Sequence, residues 1–483
     1  MKQFGYYLRE LTLTERMIIV YMALPVAVFY LGWLKPMIGI LCAVLLGLLI
    51  CSRLKKEFIQ KDGSLSLTVI ASAILLAACW SCLGGAGHLF YANNDWPVRD
   101  AVLRDLVVYP WPVTYSISAD NMLLLRAPLG YYLFPALLGK IIGLKVADYL
   151  LLGWTILGTT LLFLHLCASC RKNSHALLTI SVFIFFSGMD IVGSLIMNAP
   201  VAVTTYMEYW AEYFQYPSMT TLLFWVPNHG LSGWLAASLF IRHWKNSFFL
   251  PIAFFLVTIT PLWSPFTAIG VMLLFIASLL YHIRHGNWKH LLVPETGVAT
   301  LIALPIVHYL TIQAAQVASG GAILSVLPTG EFFYYYTFFV CLELAVVPLI
   351  LTGEIKYRSG NSWLIASTFF YLLLLPFFYY APTNELVMRC SIPLLAVIAI
   401  RTSTVLVAFM ENRAYALAVL TVAILLIGAA TPAWEIARAL QLPRWRPDLA
   451  TNLVTATNAE YRHYYTRVQP QDFPWELKKP AHR

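Results

Sequence analysis

Apolar residues in this chain come in long unbroken runs, and polar and charged residues gather between them. A helix needs about 20 residues to cross a bilayer, and against that length the pattern predicts about thirteen membrane segments. They are 17–34, 37–51, 65–90, 146–170, 177–197, 219–242, 247–262, 264–283, 291–313, 332–353, 363–380, 391–410 and 414–432. Pro251, Pro261 and Pro265 shorten or interrupt several of them. Basic residues occupy alternate connections: Lys2, Arg9 and Arg16; Arg53, Lys55, Lys56 and Lys61; Arg171 and Lys172; Arg242 and Lys245; Arg284 and Lys289; Lys356 and Arg358; Arg413. The positive-inside rule makes these cytoplasmic. The connections near 198–218 and 314–331 hold no Lys or Arg, as outward loops should. The first run lacks a small-residue cleavage site and is expected to stay as an anchor.

Composition agrees with the pattern: 60% of residues are hydrophobic and 11% charged, with mean hydropathy +0.72. The fold class expected is an all-α polytopic membrane protein. A net charge of +9 would point to nucleic acid in a soluble chain, but here the basic residues mark topology, and no nucleic-acid partner is expected. The pairs Cys79/Cys82 and Cys167/Cys170 fall inside predicted spans with no histidine at ligand spacing, so they read as packing.

The chain divides into a helical hairpin and cytoplasmic turn (1–64), a transmembrane domain (65–432) and an outward tail (433–483). The tail carries Trp434, Trp445 and Trp475 among Arg444, Arg446 and the aromatic run from Tyr461 to Tyr465, a mix suited to the headgroup layer. A solvated tail without a task explains it equally well. The longest connection, 91–145, is outward, and long structured loops disproportionately carry function. It opens with Asn93-Asn94-Asp95-Trp96-Pro97-Val98-Arg99-Asp100-Ala101-Val102-Leu103-Arg104-Asp105, five charges beside an apolar run. Pro97 in a first turn predicts a short helix to about Val108, ending before Pro110. Asp100 and Arg104 then form an ordinary solvated i,i+4 pair. Asp95 and Arg99 fall instead beside Val102, Leu103 and Leu106, on the inward face. A guanidinium there keeps Asp95 ionised and usable as a base; the competing reading is a helix cap. Asp100 and Asp105 read as structural charges.

Three other places hold candidate chemistry. Arg389, beside Glu385 at the outward start of a late span, fits bidentate phosphate binding, or snorkelling. Arg401, deeper in that span, needs a partner or a polar cavity, as structural glue with an acid such as Glu343 or as part of a donor path. His229, in Pro227-Asn228-His229-Gly230, is placed to bind phosphate or a sugar hydroxyl, or is simply satisfied in a polar niche. The stretch Met207 to Phe214 sets aromatic rings beside Glu208 and Glu212, as sugar stacking or interface anchoring requires.

After the Asp95 loop comes Arg126-Ala127-Pro128-Leu129-Gly130-Tyr131-Tyr132-Leu133, a short helix closing on Lys140-Ile141-Ile142-Gly143, then a span ending at Arg171-Lys172. This order over residues 65–200 resembles the GT-C glycosyltransferases, which include protein O-mannosyltransferases and bacterial transferases that use polyprenyl-phosphate sugars. The chain departs from that pattern by two extra spans ahead of the module and by lacking a paired Asp-Glu. The resemblance implies an inverting transferase of the bacterial cytoplasmic (inner) membrane with its site on the outer face. It implies Asp95 as the base and no metal or other cofactor; Arg99, Arg126, Tyr131, His229, Glu385 and Arg389 are the candidate donor or substrate contacts. The partners would be a polyprenyl-phosphate sugar, a glycan, lipid or protein acceptor, and the bilayer. The absence of an Asn-x-Ser/Thr sequon fits a bacterial source. A transporter or flippase of lipid-linked substrates shares the broken helices and intramembrane charges, but no inverted repeat supports it. A polysaccharide polymerase or ligase would place its long loop late.

Overall fold

A computed structural model of the protein describes residues 11–53, 65–118, 121–170, 172–202, 204–314, 320–358, 360–380, 384–457, 464–469 and 473–479. Lys2, Arg9, Lys55, Lys56, Lys61 and Arg171, used above for orientation, and residues 461–463 of the tail lie outside the described residues.

The chain opens with α1 (Leu13–Trp33), α2 (Pro36–Arg53) and α3 (Leu67–Leu83). A capping box starts α1: the Thr12 hydroxyl accepts the Glu15 N–H, and Glu15 accepts the Thr12 N–H at 2.7 Å. The stretch 91–145 holds α4 (Trp96–Val108), strands β1 (Thr114–Ser118) and β2 (Asn121–Leu125), and α5 (Leu133–Ile142) before the long helix α6 (Leu144–Ala168). The segment expected at 177–197 is split into α7 (Asn173–Ile184) and α8 (Asp190–Ile196). Pro227, which has no N–H and fits a first turn, likewise divides 219–242 into α9 (Met219–Trp225) and α10 (Pro227–His243). There follow α11 (Leu250–Trp263), α12 (Pro265–Arg284), α13 (Pro294–Thr311), β3 (Gly320–Ala322), and α14 (Thr329–Glu343) and α15 (Val347–Gly353), bent by 46° at their break. The remainder is α16 (Ser362–Leu374), β4 (Phe378–Tyr380), α17 (Glu385–Cys390), α18 (Ile392–Glu411), α19 (Tyr415–Gly428), α20 (Ala430–Gln441), α21 (Leu453–Ala456) and β5 (Tyr465–Val468).

Five of the described helices are long and apolar enough to cross a membrane, or six if the bent pair is one span, so the chain is a helical membrane protein by composition and length. In the bundle, α18 is central and 94% buried across its apolar window, packed by α7, α10 and α12. The α19–α20 window is only 28% buried, and its Val419 and Leu426 face outward as lipid-facing side chains would. The ends of α1, α6 and α10, which basic residues assign to one side, meet there. Glu15 accepts from His243 at 2.8 Å and lies 3.2 Å from Arg242 and 3.8 Å from His165. All eight cysteines are free.

α20 runs across the boundary at 433, and the segment beyond it straps the fold. Its strand β5 pairs with β2, Leu125 opposite Tyr465, and Lys478 N–H donates to the Trp33 carbonyl at 2.8 Å. Those contacts satisfy main-chain groups of β2 and of the α1–α2 turn that would otherwise need water. Arg401 has a different partner: Glu354, which accepts its Nε–H at 2.7 Å. The bend between α14 and α15 separates the two acids, so Glu343 sits against Gly188 beside Asp190 while Glu354 reaches α18. Both members of the Arg401–Glu354 pair are buried. Arg401→Met alone is therefore expected to destabilise by about 3–5 kcal/mol, and adding Glu354→Leu should recover most of that. Melting in detergent checks it; equal stability of the single variant and the wild type would contradict the assignment.

Candidate functional site

α4 gives its three acids three different surroundings. Pro97 lies in the first turn and the helix ends at Val108, the bounds that its prolines predict. Asp95 stands at the N-cap position but makes no side-chain cap bond. Its carboxylate instead accepts from Arg99 Nη2 at 2.8 Å, with the Asp95 side chain 45% exposed and that of Arg99 5%. Asp100 is buried and does not meet Arg104; it faces His88, with Oδ1 3.1 Å from Nε2. Arg104 pairs with Asp105 at 2.8 Å, and Asp105 also accepts from the Tyr115 hydroxyl (2.6 Å) and the Leu453 N–H (2.9 Å). The i,i+4 pairing of Asp100 with Arg104 is thus overturned, because non-local partners at hydrogen-bond distance offset burial where a solvated pair offers little. Burial raises the pKa of both Asp100 and Asp105 despite these partners.

Arg99 is the hub of the exposed end. Its Nη1 donates to Asn228 Oδ1 at 3.4 Å, in the first turn of α10, and Tyr132 hydrogen-bonds it from the start of α5. Burial opposes its charge, but Tyr132 and Asp95 more than offset this and raise its pKa. Asn228 in turn lies 3.2 Å from His229 Nε2, and His229 is buried in the field of both Arg389 and Arg99. Arg389 belongs to α17, where it pairs with Glu385 one turn earlier. Tyr464, just before β5, completes the cluster: burial raises its pKa, Arg99 and Arg389 oppose that, and Asp95 and Glu385 add to it. Tyr209 is 54% exposed and also feels Asp95 and Glu385. Arg99 and Arg389 each keep a buried Nε–H with no partner among the described residues.

Of the residues singled out in the sequence, Asp95, Arg99, His229, Glu385 and Arg389 converge. Arg126 lies at the edge: its N–H donates to the Tyr464 carbonyl at 2.8 Å, but its guanidinium turns to the Ile312 carbonyl at 2.8 Å. Tyr131 is fully buried and lies in the field of Arg99, with its hydroxyl turned to Thr155 Oγ1 at 2.6 Å. Its neighbour Tyr132 takes the place next to Arg99. Tyr132, Asn228 and Tyr464 were not among the candidate contacts, although each lies in a stretch the sequence singles out: the Tyr131-Tyr132 doublet, Pro227-Asn228-His229-Gly230 and the aromatic run 461–465. Glu208 is a buried acceptor for the Ser218 N–H and the Thr221 hydroxyl, pushed up to about 8 by burial and by Asp190.

On another side of α4, His88 is fixed by a glycine turn. Gly85 (φ 90°) has no room for a Cβ against Trp96, nor has Gly87 (φ 77°) against Leu152. The ligand atoms of His88, Asp100 and Asp148 lie within 4.8 Å of one another, a grouping able to hold a metal ion. A shallow, mostly apolar groove lined by Ile19, Leu49, Pro251, Phe255 and Glu295 lies beside α1, α2 and α11, toward the Glu15 end of α1. Comparison with known protein families, curated proteins and solved structures finds no match for this chain.

Proposed function

We propose that this protein is an integral-membrane glycosyltransferase of GT-C type that moves a sugar from a polyprenyl-phosphate donor to an acceptor hydroxyl. In this reading the chain crosses the membrane about thirteen times and residues 65–432 form the catalytic module. The site opens on the outer face of a bacterial cytoplasmic membrane. The observation that carries the proposal is a half-exposed carboxylate, Asp95, held 2.8 Å from a buried arginine, with a second arginine, Arg389, in the same electrostatic cluster.

The chemistry follows from that arrangement. Arg99 and Arg389 each have an N–H to offer, and a phosphate at headgroup depth is the anion whose oxygens suit two guanidinium forks. Asp95 takes the proton of the acceptor hydroxyl as its oxygen attacks the anomeric carbon. The bond from that carbon to the phosphate oxygen breaks, and polyprenyl phosphate leaves with the electron pair. One displacement inverts the anomeric centre. Tyr209 offers an exposed ring for stacking on a sugar face.

The full chain in nanodiscs, given a panel of polyprenyl-phosphate sugars and hydroxyl acceptors, is expected to release polyprenyl phosphate and form an inverted glycoside from at least one donor. Movement of the intact lipid-linked sugar across the bilayer, with no bond cleaved anywhere in the panel, would establish a transporter instead.

A further inference from the structure

We propose that His88, Asp100 and Asp148 form a binding site for a divalent cation of the zinc class, which ties the end of α3 to α4 and α6. The site goes beyond the proposed activity, since none of its ligands belongs to the Asp95–Arg389 cluster.

The three side chains come from separate elements. His88 follows α3 in the glycine turn, Asp100 is in the first half of α4, and Asp148 is in the first turns of α6. Their ligand atoms lie within 4.8 Å of one another. An imidazole nitrogen with two carboxylates, leaving a position for water, is a donor set zinc accepts, with bonds of about 2.0–2.2 Å. Asp148 is the least buried of the three.

Two observations call for a cation. His88 Nε2 lies 3.1 Å from Asp100 Oδ1 and 3.0 Å from Oδ2, but one N–H satisfies only one of them. Oδ2 is left with no hydrogen-bond partner, although Asp100 is only 8% exposed. Charge is also only partly compensated. Two carboxylates share this pocket with one histidine; Arg99 reaches Asp100 only through its field, and among the described residues no Lys or Arg nitrogen comes within ion-pair distance of either carboxylate, Asp148 having the Gly87 N–H at 3.0 Å and the field of His88. A histidine carries at most one positive charge, whereas a divalent ion supplies two and turns the orphaned oxygen into a ligand. Its placement gives it a use: Asp100 adjoins Arg99, so an ion here holds the helix that presents Arg99 and Asp95.

Purified full-length protein, its affinity tag removed, is stripped with chelator and titrated with Zn2+ alone, bound metal being counted by elemental analysis and Co2+ giving an absorption signature. The expected result is about one Zn2+ per chain, bound at least about 10-fold more weakly by Asp148→Asn and His88→Gln. Asp95→Asn should bind like the wild type. Asp148→Asn keeps an acceptor for the Gly87 N–H and so decides the matter if His88→Gln fails to fold. No stoichiometric Zn2+ on the wild type, or equal binding by Asp148→Asn, would overturn the proposal. Neither readout involves sugar transfer, so its failure is distinct from failure of the proposed activity.

Discussion

Asp95→Asn is expected to fold as the wild type does and to lose sugar transfer by about 10²–10⁴-fold, the share a positioned general base contributes. The amide is nearly isosteric with the carboxylate and still accepts from Arg99, but it cannot take the acceptor proton. Folding should be spared because the side chain is 45% exposed and caps no helix end. Arg99 keeps Tyr132 and Asn228 in the variant. The same change at Asp105 is a useful contrast. That carboxylate accepts from Tyr115, Arg104 and the Leu453 N–H, so Asp105→Asn should act on stability, whereas Asp95→Asn acts on turnover. Initial rates with saturating donor, beside a melting curve in the same detergent, separate the two. Wild-type turnover by Asp95→Asn would remove that residue from the mechanism.

What could be read from the chain depended on how local the deciding interaction is. The bounds of α4 were legible because Pro97 and Pro110 punctuate it, and the Asp95–Arg99 pair because i,i+4 spacing places both partners on one face; the Glu385–Arg389 pair, at the same spacing, comes from the structure. The same rule failed for Asp100 and Arg104. Asp100 is claimed by His88, twelve residues earlier and brought back by the turn through Gly85 and Gly87. Periodicity located the apolar segments yet could not see that the segments at 177–197 and 219–242 are each two helices. It also could not pair β2 with β5, since strand register across some 340 residues leaves no local trace. The cluster itself shows the limit most clearly: Arg99, His229, Arg389 and Tyr464 come from four distant parts of the chain, and only the bundle brings them together.

Arg389→Ala carries the second large expected effect, a donor affinity about 10- to 100-fold weaker. Hydrogen bonds to charged groups are worth roughly 1.5–3 kcal/mol, and each 1.4 kcal/mol is a tenfold change. The fold should tolerate the change. Arg389 sits in a six-residue helix, and its ion-pair partner Glu385 is itself partly exposed at 22%, so no fully buried charge is stranded. Arg389→Lys retains the charge but loses the planar fork, and an intermediate affinity is expected of it if the phosphate is gripped by two parallel bonds. Polyprenyl phosphate without a sugar is the discriminating ligand, because it presents the anion and no anomeric carbon; its binding should fall in step with that of the donor. Unchanged affinity for both lipids in Arg389→Ala would mean that the residue anchors α17 at the interface and takes no part in holding the phosphate.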